Sequence, residues 1–152
     1  MSRISLPDER PSITHHFILP SAGGQDLDID GYITCGMYPL DYRLGEVFIT
    51  AAKEGSFTRC ILDALATSIS IMLQYGIELE VITRKFRHAS GGACGAVSGC
   101  PERMRPDGRA FIAKSIIDYL AAYLDATFPN GKWVNAPPDK LQIPDVALPD
   151  LE

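Results

Sequence analysis

Leu27-Asp-Ile-Asp-Gly-Tyr-Ile-Thr-Cys-Gly-Met-Tyr38 decides the reading of the fold. Leu27, Ile29, Gly31, Ile33, Cys35 and Met37 fall on one face of an extended chain, while Asp28, Asp30, Tyr32 and Thr34 fall on the other. This period of two predicts a half-buried strand over 28–38. On its N-terminal side, Ser12-Ile-Thr-His-His-Phe-Ile-Leu19 is β-branched and aromatic and stops at Pro20, which predicts a strand over 12–19. On its C-terminal side, Pro39 to Arg43 form a short connection to a third strand over 44–50, and short connections favour an antiparallel meander. Residues 1–11, with Pro7 and Pro11, read as an arm.

After the strands the periodicity changes. Ser56 is a suitable N-cap for a helix over 57–75 that Gly76 closes. Arg59, Asp63, Thr67, Ser70 and Gln74 make a narrow polar stripe along it, and nearly everything else is apolar or small. One sheet cannot cover so much apolar circumference, so a homodimer or larger assembly using this helix is expected. A shorter helix is predicted over 78–87 and a second long one over 110–128, with Ile112, Ile116, Leu120 and Tyr123 inward and Lys114, Asp118 and Asp125 turned away. The predicted class is therefore α+β: an antiparallel sheet of three or more strands packed on two long helices, in one domain over 12–128. The segment 129–152 contains Pro137, Pro138, Pro144 and Pro149 and reads as a Pro-rich tail.

Composition narrows the function. The 152 residues carry a net charge of −5, and no stretch reaches the ~20 apolar residues needed to cross a bilayer. With no apolar secretory leader at Met1, a soluble, cytoplasmic protein is expected. Seven of the 14 Lys and Arg lie between Arg84 and Lys114 against only Glu102 and Asp107. So local a cluster in an acidic chain does not suit coating of nucleic acid; a small phosphate-bearing anion such as a nucleotide suits it better.

Between those cations runs His88-Ala-Ser-Gly-Gly-Ala-Cys-Gly-Ala-Val-Ser-Gly-Cys-Pro-Glu-Arg-Met-Arg-Pro-Asp-Gly-Arg109, an irregular loop of a length that in compact domains marks either a functional or a disordered segment. Backbone N–H groups at Gly91 and Gly92, with Arg103, Arg105 and Arg109 beside a helix N-terminus at Ala110, compose a candidate anion cradle. Glu54, at the strand-to-helix junction, is a further candidate ligand contact or helix-dipole cap. His88, Cys94 and Cys100 are candidate zinc ligands, though the usual Cys-x2-Cys spacing is absent. Cys35 and Cys60 read as buried thiols, and His15 and His16 as hydrogen-bonded sheet histidines on opposite faces.

The chain also resembles a known family. Arg10-Pro-Ser-Ile-Thr-His-His-Phe17, Gly31-Tyr-Ile-Thr34, Gly45-Glu-Val-Phe-Ile49, Ala52-Lys-Glu-Gly-Ser56, Leu73-Gln-Tyr-Gly76, Lys85-Phe86 and Ala113-Lys-Ser-Ile-Ile-Asp-Tyr-Leu120 occur in an order similar to that of the TSCPD domain. That domain ends adenosylcobalamin-dependent ribonucleotide reductases and is named for a Thr-Ser-Cys-Pro-Asp motif, which Ser98-Gly-Cys-Pro-Glu102 resembles. The resemblance covers about residues 10–125. It implies kinship without catalysis, because the reductase barrel, its radical-forming cysteines, its cobalamin site and its Cys-x-x-Cys tail have no counterpart here. The expected function is an accessory or nucleotide-binding module of nucleotide reduction, with a ribonucleotide reductase as a potential partner. The alternatives are a phage-type binder that sequesters a nucleotide or nucleotide-derived signal, and a structural metal-clipped dimer.

Overall fold

The computed structural model describes residues 1–21, 28–52 and 55–138. Three strands, β1 (Ser12–Leu19), β2 (Ile29–Met37) and β3 (Leu44–Thr50), form an antiparallel sheet in the order β1-β2-β3. Three helices follow, α1 (Phe57–Gln74), α2 (Leu79–Phe86) and α3 (Ile116–Thr127). Between α2 and α3 the strands β4 (Gly95–Ala96) and β5 (Ile112–Ala113) pair antiparallel. The α+β reading therefore holds, strand by strand. Among the described residues no helix is long and apolar enough to cross a membrane.

The inner face of the sheet carries Phe17, Leu19, Ile33, Cys35, Val47 and Ile49, all buried, and the helices cover it. The other face keeps His16, Tyr32, Phe48 and Thr50 exposed, so the sheet has one covered and one open side. α1 lies against β3, and α2 against α3.

An edge strand presents unpaired N–H and C=O groups, and this fold covers both edges. At β3, Ser70 Oγ accepts the Val47 N–H at 2.9 Å and Gln74 Nε2 donates to the Gly45 carbonyl at 3.0 Å. At β1, Ile18 and Ser98 exchange backbone hydrogen bonds of 3.0 and 2.9 Å. The polar stripe of α1 is thus turned inward over its second half, where Ser70 and Gln74 bond the sheet edge. Phe57, Ile61 and Cys60 are left exposed, so Cys60 is not the buried thiol its apolar surroundings in sequence suggested.

The helix expected over 110–128 begins six residues later, at Ile116. Residues 112–113 are extended because their backbone pairs with β4, and Ser115 then starts the helix by accepting the Asp118 N–H on its side chain. Of the Pro-rich tail, Pro129–Gly131 forms one 3-10 turn, and residues 139–152 lie outside the described residues.

Candidate functional site

The best-built polar region is the Gly-rich loop and the two places where α3 holds it. At the first, the Asp118 carboxylate, 2% exposed, accepts the His88 N–H at 2.7 Å and the Lys114 N–H at 3.0 Å and pairs with the Arg87 guanidinium. Ser115 Oγ donates to the Ala89 carbonyl at 2.5 Å. Two side chains of one helix turn therefore tie the entry of the loop to its exit. Burial alone raises the carboxyl pKa, yet the Lys114 and His88 amides and the Arg87 charge together hold it below the ordinary carboxylate range. Asp118, expected to face solvent, is one of the most buried charges in the chain. The helix after the loop starts at Ile116, so the helix N-terminus expected at Ala110 lies six residues further on, beside the Asp118 carboxylate.

The second anchor lies one to three turns along α3. His15 of β1 meets the Tyr119 hydroxyl at 2.7 Å and stacks on the Tyr123 ring at 4.5 Å and 9°. Burial, then the Arg103 and His16 charges, push the His15 pKa down to about 4, so at neutral pH the ring is uncharged and its tautomer sets which partner donates in the bond between Nε2 and the Tyr119 hydroxyl. Burial also pushes Tyr123 up to about 12 and raises Cys100 and Tyr119. Arg103 sits 5.5 Å from the Tyr123 ring centre and donates to the buried Thr127 hydroxyl at 2.9 Å. Arg105 donates to the Cys100 carbonyl at 3.1 Å.

The Ser98-Gly-Cys-Pro-Glu102 motif is the hinge of this second anchor. Ser98 completes the β1 edge, and Gly99 lies at φ +82° where a Cβ would come within 2.8 Å of the His16 carbonyl oxygen. Only glycine fits such a position without displacement. Cys100 is consequently drawn into the core, and Pro101 leads into the single 3-10 turn Glu102–Met104 that sets Arg103 against α3.

The sequence-predicted residues are thereby divided. Arg103 and Arg105 are engaged by the protein itself, whereas Arg109 is exposed. Gly91 and Gly92, at φ +149° and +68°, form an exposed tip with open space where side chains would be. Gly91 N–H reaches the Lys114 carbonyl at 3.3 Å, which sets Lys114 beside that tip. Within the segment 84–114, the side chains of Lys85, Arg109 and Lys114 have neither an ion-pair partner nor a hydrogen bond among the described residues. Glu54 lies outside the described residues.

His88, Cys94 and Cys100 are not drawn together: Cys94 is exposed, Cys100 is buried, and no group of three His, Cys, Asp or Glu among the described residues could hold a metal ion. A separate cavity of about 400 Å3 is lined by Arg43, Glu78, Glu80, Asp125 and Phe128, none of which belongs to the loop. The residues missed in the sequence were Asp118, Ser115 and Tyr119. The signal was there for two of them: Ser115-Ile-Ile-Asp118 has the spacing of a helix-start box.

Comparison with known proteins matches residues 10–128 to the TSCPD domain model, a range that contains both anchors. The chain is 44% identical over 129 residues to a vitamin B12-dependent ribonucleotide reductase of Rhodopirellula baltica, covering 85% of this chain and 11% of that protein. It is 36% identical over 126 residues to one of Streptantibioticus cattleyicolor, covering 83% and 18%, and 30% identical to one of Bradyrhizobium diazoefficiens, covering 83% and 9%. It thus spans less than a fifth of the length of these relatives. No solved structure matches it. With the Ser98–Glu102 hinge, the doubly anchored loop and the three-stranded sheet all inside the matched range, the chain belongs to the TSCPD domain family and is a ribonucleotide-reductase-related module.

Proposed function

We propose that this chain is a non-catalytic accessory module of ribonucleotide reduction. In this reading it binds a phosphate-bearing nucleotide at the open tip of its Gly-rich loop and acts together with a reductase. One observation carries it: the titratable groups Asp118, His15, Cys100 and Tyr119 at the two anchors are all set away from neutral pH. Asp118 is held ionised, His15 is held neutral, and burial keeps Cys100 and Tyr119 protonated. Catalytic groups are tuned the other way, toward the working pH. These residues position the loop, and the loop presents Gly91, Gly92, Arg109 and Lys114.

The relatives' name supports the reductase half of the reading, since 85% of the chain is kin to 11% of such a protein. The exposed cations Arg109 and Lys114, the second beside the open Gly91–Gly92 tip, support the anion half. The test combines calorimetry with a complementation assay. Nucleoside mono-, di- and triphosphates are titrated into the purified chain, and the chain is added to a B12-dependent reductase from which the matching region has been deleted. Phosphate-dependent binding that weakens at least tenfold in Arg109→Ala/Lys114→Ala, with restored turnover in the second assay, is expected. Ribonucleotide reduction by the chain alone, or no effect on the truncated reductase, overturns the accessory reading. Binding that ignores phosphate overturns the loop tip as its site.

A further inference from the structure

A surface remote in sequence from the loop carries a separate inference. The solvent side of α1 shows Phe57, Ile61, Ala64, Ser68 and Ile71, continuing to the cap residue Tyr75, at alternating spacings of four and three. The buried residues Leu62, Ala66, Ile69 and Leu73 occupy the opposite side of the same helix. Phe57 is 80% exposed, Ile61 46%, Ile71 38% and Tyr75 42%. No charged residue interrupts this stripe, although the outward face of a surface helix is ordinarily its polar one. Alternation of four and three is the seam of a helix that packs on another helix.

The order of side chains along the seam identifies the occupant. Positions equidistant from Ala66 match in size: Phe57 with Tyr75, Ile61 with Ile71, and Ala64 with Ser68. A two-fold interface needs a patch complementary to itself, and in an antiparallel pair each of these residues meets its match on the other copy. The small residues fall at the centre, where two helices come closest. Ser68 Oγ donates to the Ala64 carbonyl at 2.8 Å, so its proton is satisfied inside its own helix and burying it strands no donor.

We infer that two copies of this chain associate through α1, antiparallel, about a two-fold axis at the level of Ala66. Scaling whole side-chain areas of about 150–250 Å2 by these exposures gives roughly 400 Å2 per copy from the four large residues. With the small residues between them, the two copies approach the ~1,000 Å2 that marks a specific interface.

Light scattering of the full chain at micromolar concentration is expected to give twice the 16.6 kDa chain mass. Ile61→Glu puts a charge into the seam at an exposed position and is expected to halve that mass with an unchanged circular dichroism spectrum. Disulfide trapping checks the direction. In a Cys60→Ser/Cys94→Ser background, a mixture of Ala64→Cys and Ser68→Cys chains is expected to cross-link several-fold more than either alone. A monomeric wild-type chain, or a dimer whose mass Ile61→Glu leaves unchanged, overturns the inference. Preferential cross-linking of each variant with itself overturns the antiparallel arrangement.

Discussion

α3 holds the Gly-rich loop twice, and the two holds use opposite electrostatics. At Asp118 a full negative charge is kept inside the protein because two backbone N–H groups and Arg87 surround it. At Tyr119 and Tyr123 the groups are neutral: His15 has lost its proton, the tyrosines keep theirs, and contact is made by stacking and one 2.7 Å hydrogen bond. A buried carboxylate survives ionised only where donors replace its water. A partly buried imidazole beside Arg103 has no carboxylate among the described residues to stabilise its charge, so the neutral form is favoured.

The charged anchor is the one whose loss is most costly. Asp118→Ala leaves the His88 and Lys114 amides without their acceptor and Arg87 without its counter-charge. Breaking a buried pair from one side costs about 3–5 kcal/mol, a large share of a total stability of about 5–15 kcal/mol. Urea unfolding should show a midpoint lowered accordingly at unchanged slope. Arg87→Met sharpens the comparison, because the carboxylate then keeps both amides and loses only a partly exposed partner; about 1–2 kcal/mol is expected. Equal losses in the two variants would mean that the ion pair, and not the backbone bonds, carries the anchor.

The neutral anchor is set by backbone geometry, and Gly99 is where to break it. Gly99→Ala forces a left-handed backbone on alanine and pushes its Cβ to 2.8 Å from the His16 carbonyl oxygen. Together these cost about 2–3 kcal/mol. Gly92→Ala shares the positive φ but meets no atom within 4 Å, so about 1 kcal/mol is expected there. The difference between the two midpoints in urea measures the contact between the hinge and β1. If the two variants lose the same amount, Gly99 is present only for its φ.

What was legible in the sequence follows from where the decisive partner lies. The strands and α1 announce themselves by local period, and Ser56 and Gly76 mark the ends of α1 by local chemistry. Ser70 and Gln74 could not be placed by the same means, since their partners are the backbone of Val47 and Gly45, more than twenty residues away. A helical period counted from Ile112 turns Asp118 toward solvent, yet Ile112 is extended and 63% exposed. Among the loop cations, proximity in sequence groups Arg103, Arg105 and Arg109, whereas the fold engages two with its own hydroxyl and carbonyl groups and leaves Arg109 without a side-chain partner among the described residues. Charge density along a chain says little about convergence when a hinge such as Gly99 redirects it.

The smallest expected effect separates the two anchors by pH. His15 takes up a proton near its ordinary value of 6.5 in the unfolded chain but only at about 4 in the folded one. Between those values the unfolded state binds the extra proton, so stability falls as pH drops from 6.5 to 4 and is level above that window on account of this group. The ring is only partly buried, and solvent screening limits the effect to about 1 kcal/mol. Asp118 acts lower: its folded pKa lies beneath the ordinary 3.8, so its stabilisation is complete above that value and is lost as pH falls further. Melting temperature measured from pH 8 to pH 3 should therefore fall in two stages. His15→Gln removes the upper stage and keeps the lower one, with a lower plateau at pH 7 because the Tyr119 hydroxyl and the Tyr123 ring lose a well-placed partner. A variant that keeps the whole slope between 6.5 and 4 would assign that slope to groups outside the neutral anchor and would show that the fold does not depress the His15 pKa.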